Sequence, residues 1–322
     1  MSYLFWRKGD GSQEKLGLAY ITQANTRYFA GDLLGSEENF RYGEPLFDVA
    51  LKELRPSAIV YGFASHNAWM LGGADLARTR MQKQLTSAAE LDYPFQIAFA
   101  NYSAARLELW LKEMEAAQRF AEESIRVSIQ NGFTIIADAS RMFLWRAWAS
   151  LGRAGDGVSL IKEAASRLPE TDRNAMTNYL GLLAEAEALD HDVTEAQATI
   201  ERALEVNPLQ RAWWIEALTI RAELRVADGK PDLGEADFRE AMDRAGEIGA
   251  KAFELRAAVG LARLIYGRDR KAASVLLAQI YATFSEGFDT ADIKDAKALL
   301  DELNGKPSTL IRLPDSTNNN NV

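Results

Sequence analysis

The chain has 322 residues, 48% hydrophobic and 26% charged, with a formal net charge of −9, a pI of about 5.0 and no cysteine. That is enough apolar material for one large or two ordinary domains; the acidic excess argues against direct contact with nucleic acid, and disulfide and thiolate chemistry are excluded. No apolar run approaches the roughly 20 residues that cross a bilayer, and Tyr3-Leu4-Phe5-Trp6 ahead of Arg7-Lys8 is too short and wrongly ordered for a signal peptide, so a cytoplasmic protein without membrane contact is expected.

Ala, Leu and Glu dominate and Val/Ile/Thr runs are rare, which favours helix over strand. Residues 1–12 read as a loose lead-in. A first helix is predicted over Leu16–Phe29, stopped at Gly31-Asp32, and a second from Ser36, interrupted at Gly43-Glu44-Pro45. Ser57–Leu71 and Ala74–Leu91 turn at Gly72-Gly73. Pro94 opens the next helix at a first-turn position; it runs to Leu111 and is answered by Glu113–Gln130, capped at Asn131-Gly132. Phe133–Leu151 pairs with Val158–Leu168 around the Gly152–Gly157 loop, and Asp172–Leu189 with Val193–Val206, ended by Pro208. Trp213–Gly249 is a complete helical hairpin that turns at Asp228-Gly229-Lys230-Pro231, where Gly suits a left-handed cap and Pro cannot continue the ladder. Phe253–Tyr266 pairs with Lys271–Ser285, and Asp289–Leu303 stands last. Residues 305–322, rich in Pro and Asn, read as a disordered tail, leaving 13–304 as one domain.

The second arms share a small–large–small pattern. Gly234, Phe238 and Ala241 match Ala196, Ile200 and Ala203, and also Gly157, Ile161 and Ala164; Ala116, Phe120, Glu123 and Ala272, Leu276, Gln279 match in part. Ala203 to Ala241 and Ala241 to Gln279 are each 38 residues, Ala164 to Ala203 is 39. A train of helix pairs near one period means a solenoid, since a single pair cannot bury its apolar face alone. The expected fold is therefore all-α: an α-α superhelix of about seven antiparallel pairs with a C-terminal capping helix.

The pattern resembles the tetratricopeptide repeat, best over residues 177–210, where Leu180, Ala184, Ala196, Ala203 and Pro208 carry it; the period exceeds that repeat's usual length of about 34. The C-terminal end resembles a bacterial family more closely. Glu254–Leu264, Tyr281–Thr290 and Lys294–Leu303, with Trp213–Ala217 and Arg221–Leu224, are similar to the helical-repeat tail of fusions between a class III adenylate/guanylate cyclase, a STAND-type ATPase and that tail. Tyr28–Asp32 and Ala68–Gly72 are similar as well. The chain has no room for the cyclase or ATPase domains, so their activities are not expected here.

No residue set points to catalysis. The Gly152–Gly157 spacing is that of a hairpin turn rather than a dinucleotide loop, and no phosphate-binding Gly-x4-Gly-Lys-Ser/Thr occurs. His191 falls in a turn and, without cysteine, makes a poor metal site. Ser65 and His66 are successive helical residues and point about 100° apart. No cofactor or metal is expected. The resemblance to tetratricopeptide repeats implies that the first arms line a concave groove, and places His66, Trp69, Asn101, Glu108, Arg141, Trp148, Asn178, Glu185, Glu216 and Glu223 on it. The groove would be net acidic with an aromatic N-terminal half, suited to a protein or peptide segment carrying Lys or Arg. The expected function is a non-enzymatic scaffold or regulatory sensor in bacterial signalling; the alternatives are a small-molecule-sensing repeat domain and a detached piece of a cyclase–ATPase regulator.

Overall fold

Fifteen helices and no strand occur among the residues that the computed structural model describes, which are 13–54, 59–153, 158–167, 173–190, 192–207 and 211–305. They pair as α1 (Gln13–Phe29) with α2 (Leu33–Leu54), α3 (Ile59–Met70) with α4 (Ala74–Leu91), α5 (Pro94–Leu111) with α6 (Met114–Asn131), and α7 (Thr134–Ser150) with α8 (Val158–Arg167). Then come α9 (Arg173–Leu189) with α10 (Val193–Val206), α11 (Arg211–Ala227) with α12 (Pro231–Ile248), α13 (Lys251–Ile265) with α14 (Arg270–Tyr281), and finally α15 (Ala291–Leu303). Seven pairs and a capping helix stack in chain order as an α-α superhelix. The lead-in, the tail beyond Gly305, His191 and the Gly155–Gly157 stretch lie outside the described residues.

Local chemistry sets the turns. Gly132 and Gly249 sit at φ 76° and 72° and close α6 and α12, the left-handed conformation glycine adopts without a Cβ clash. The small–large–small pattern is a packing device. A Cβ on Gly234 would lie 2.9 Å from the Ala222 carbonyl oxygen, so the two arms of that hairpin meet backbone to backbone. Phe238, 2% exposed, reaches from α12 to α13 and rests on Gly260, where a Cβ would fall 2.5 Å from its ring. Ala196, Ile200, Ala203, Ile161 and Ala164 are equally buried. Two matches are displaced by one residue: Ala117, Ala121 and Ser124 are the buried row of α6, and Ala273, Leu277 and Ile280 that of α14.

Two predicted boundaries are corrected. α2 continues through Pro45 rather than breaking at Gly43–Pro45. Phe40 and Phe47 are each 1% exposed on either side of the proline, and their burial outweighs the one hydrogen bond it forfeits. Gly43 marks a close approach across the hairpin, where a Cβ would fall 2.8 Å from that of Tyr20. α14 ends at Tyr281 rather than Ser285, because residues 282–290 turn back to seal the array.

That seal closes the superhelix on itself. The α4 N-terminus has no capping side chain of its own. Glu286 supplies one from 211 residues away, accepting from the amides of Asp75 and Leu76 at 3.0 and 3.1 Å; a carboxylate there satisfies free N–H groups and the helix dipole together. Arg78 pairs with Asp289 at 3.1 Å beside it. Further inside, Trp69 stacks on Trp110 (centroids 4.5 Å apart), Trp110 on Trp213 (5.5 Å), and Phe253 meets Trp69 edge-on. Arg256 of α13 donates to the Trp110 carbonyl of α5 at 2.7 Å.

Candidate functional site

Closure converts the concave groove into a bounded cleft of about 240 Å³. Its walls come from the first arms α5, α7, α9, α11 and α13, with Lys112 and Met114 from the α5–α6 turn and two residues of α15. Because each pair repeats at 38–40 residues, equivalent positions form ladders across the wall. Arg106, Arg146, Glu185, Glu223 and Arg263 make one, and Asn178, Glu216 and Arg256 make another, which Asp292 of α15 extends after a shorter step of 36 residues. Adjacent rungs touch. Arg146 pairs with Glu185 at 3.2 Å, Asn178 donates to Glu216 at 2.9 Å, and Arg256 pairs with Asp292 at 2.8 Å. Lys112 reaches Asp292 at 2.7 Å from a left-handed backbone, φ 61°, unusual for a side-chain-bearing residue.

Five carboxylates and five cations line the cleft, so the expected net-acidic floor is not what the chain builds. The charges are nevertheless unevenly matched. Burial raises the Glu216 carboxyl above its usual range, partly offset by Arg256. Burial works against the charge of Asp292 too, but Arg256 and Lys112 outweigh it and hold that carboxyl below the usual range. Glu223 projects to solvent at the cleft mouth yet is ringed by protein; that partial desolvation and the neighbouring Glu185 push it up to about 7. Among the described residues it forms no ion pair. Arg106 is the converse, a guanidinium 7% exposed with no carboxylate in pairing distance among the described residues.

Of the ten residues placed on the groove from the sequence, Asn178, Glu185, Glu216 and Glu223 line the cleft. Six do not. His66 is buried, its Nε2 donating to the Ser103 carbonyl at 2.9 Å; burial and the Arg106 charge lower it to about 3, so it stays neutral. Trp69 belongs to the seam. Asn101 donates to its own helix at Ile97, Glu108 points toward Arg78 and Glu113, Arg141 pairs with Asp138, and Trp148 carries Arg153 over its ring at 4.5 Å. The assigned register is two residues off in α5 and α7: Arg106 and Arg146 stand where Glu108 and Trp148 were expected. Two residues turn a helix by about 200°, to the opposite face. Arg256 and Asp292 were missed because the register was not carried past Glu223, and the step from Glu216 to Arg256 is 40 residues, two longer than the 38 before it. The described residues contain no group of three or more His, Cys, Asp or Glu able to hold a metal.

No family model matches the chain, and no curated protein matches it. Among solved structures 77 chains match. One, described as a Rap protein complexed with competence and sporulation factor, aligns with a TM-score of 0.60 at 11% identity, covering 92% of this chain and 89% of its own. The apo form of RapI aligns at 0.53 and 13% identity, over 89% of this chain and 99% of its own. A STAND protein with a tetratricopeptide repeat sensor from Pyrococcus horikoshii aligns at 0.45 and 11% identity, over 94% of this chain and 52% of its own. At these identities the likeness concerns the fold, a tetratricopeptide-like superhelix.

Proposed function

We propose that the chain is a non-enzymatic interaction module, a scaffold or sensor that holds a peptide segment or a projecting part of a protein partner in the central cleft. The observation that carries this is convergence: five successive first arms and α15 aim their charged ladders at one cavity. Concave repeat surfaces supply extended contact without chemistry. One protein of similar fold is described in complex with competence and sporulation factor, which supports a ligand-responsive role. A cytoplasmic, bacterial signalling setting fits that reading, as does the resemblance to the tail of cyclase–ATPase regulators; no described helix is long and apolar enough to cross a membrane. The balanced charge of the cleft replaces the preference for a basic segment by a preference for a ligand of mixed charge.

The test is selection of a phage-displayed random-peptide library on the immobilised chain, repeated on a folded Glu185→Lys/Glu223→Lys variant. Convergent peptides on the wild type that lose binding to the variant, and to the wild type as salt screens exposed charge, are the expected result. Enrichment that ignores the double reversal would remove the cleft from consideration. A second reading, a small-molecule sensor, is favoured by one observation: closure has shortened the groove to a cavity of about 240 Å³.

A further inference from the structure

Arg106 is the anomaly of the cleft. A charge is taken out of water only at high cost unless it is paired, and the other buried arginine among the described residues obeys the rule. Arg80, 2% exposed, is gripped by both oxygens of Glu37 at 2.7 and 2.8 Å. Arg106 instead lies over the rings of Trp213, Tyr102 and Phe143 at 4.9, 5.1 and 5.1 Å. Among the described residues its one hydrogen bond is from Nη2 to the Tyr102 hydroxyl, and its Nε, like that of Arg80, has no partner there. Aromatic faces soften the cost of the charge without neutralising it. On two further residues of the cavity wall a buried polar atom also has no partner among the described residues, Thr177 Oγ1 and Asn178 Oδ1. At the other end, Glu223 is the lining carboxylate with no ion pair among the described residues.

We propose that Arg106 and Glu223 are the two poles of a binding site for a dipolar ligand, with a carboxylate seated on the Arg106 guanidinium and a cationic group at Glu223. The planar fork of the guanidinium suits a carboxylate held by two donors. The span follows from α11: Trp213, under Arg106, and Glu223 are ten residues apart, on the order of 15 Å of helix axis. An extended peptide of about four or five residues covers that distance. The site deepens the interaction-module reading and rests on it.

Penta-alanine is the probe, used in four forms: both termini free, N-acetylated, C-amidated, and blocked at both ends, with propionate as the minimal carboxylate. Binding is followed by tryptophan fluorescence, since Trp213 and Trp110 border Arg106, and by calorimetry, at pH 8 where Glu223 is ionised. The free form should bind tightest, each blocked end weakening it about ten-fold, the scale of a charge-assisted hydrogen bond. In Arg106→Met, amidating the C-terminus should cease to matter; in Glu223→Gln, acetylating the N-terminus should. Arg106→Lys, which keeps the charge without the fork, should fall between. The blocked peptides on the wild type decide the matter even where a variant does not fold. Equal affinity for all four forms would overturn the two-pole site while leaving a peptide-binding cleft standing. Saturable binding of propionate with no peptide bound would leave the Arg106 pole and remove the peptide. Silence toward every probe would remove both.

Discussion

Replacing Arg256 by methionine tests whether the seam between the two ends of the array holds the cleft together. The guanidinium bonds Asp292 at 2.8 Å and the Trp110 carbonyl at 2.7 Å, and lies 4.8 Å over Trp69, with only 21% of the side chain exposed. Methionine fills most of the volume but strands the carbonyl and leaves Asp292 to Lys112 alone. A hydrogen bond to a charged group is worth about 1.5–3 kcal/mol, and removing one member of a buried pair costs about 3–5 kcal/mol; release of the guanidinium's own desolvation offsets part of that. A loss of about 3 kcal/mol is expected. Urea denaturation followed by tryptophan emission reads it directly, because Trp69, Trp110 and Trp213 sit at the seam. Arg239→Met is the control: its i,i+4 pair with Glu235, the arginine half-exposed, is worth about 0.3–0.5 kcal/mol. An Arg256→Met midpoint no lower than that control would refute the claim that this contact closes the array.

Phe238→Ala should cost about 3–5 kcal/mol by calorimetry or urea melting, as expected for an emptied aromatic site, and Gly260→Ala about 1–3 kcal/mol by overfilling the same contact; Phe238→Leu in the Gly260→Ala background should recover part of the loss. Glu37→Gln should cost about 3 kcal/mol, because it strips the buried Arg80 of its counter-charge; an unchanged melting temperature would contradict that. Glu223 titrates at about 7 in the folded chain against an ordinary value of 4.5. The folded state therefore binds more protons between those values, so this group's stabilising contribution is full below about pH 4.5 and fades as pH rises through 7. Glu216 shifts in the same direction. Urea midpoints at pH 5 and pH 8 should differ less in Glu223→Gln than in the wild type, and an identical pH slope in the two proteins would count against the placement of Glu223 in the cleft.

Helix boundaries were legible because their causes are local: Gly132, Gly229 and Gly249 stop chains wherever they stand, and Pro94 and Pro231 start them. Pro45 was misread because the evidence against a break, Phe40 and Phe47 buried on both sides, belongs to packing rather than to propensity. The cleft was legible at Asn178, Glu185, Glu216 and Glu223, where the repeat steps are 38 residues, and lost on either side, where the steps from Arg106 to Arg146 to Glu185 are 40 and 39 and those to Arg256 and Arg263 are 40. A drift of one or two residues is invisible in an Ala- and Leu-rich pattern and rotates the predicted face away from the groove. Arg106 carried no local signal at all, since nothing in its neighbours distinguishes a buried, unpaired arginine from a solvated one. The seam was equally hidden: Glu286 and Asp75 lie 211 residues apart.

That seam has a consequence for how such a chain can change over time. An open solenoid tolerates gain or loss of a unit, because each added pair meets only its neighbour. Here Glu286 must arrive over the amides of Asp75 and Leu76, and Arg256 at Trp110. One extra pair, or one fewer, would rotate and translate the last helices past those targets and pull the Trp69–Trp110–Trp213 stack apart. Duplication of a unit, the ordinary route by which repeat proteins lengthen, would therefore break the seam. Variation is confined to the side chains on the ladder rungs and to the outward-facing turns, and the repeat number is expected to stay constant wherever both halves of the seam are kept.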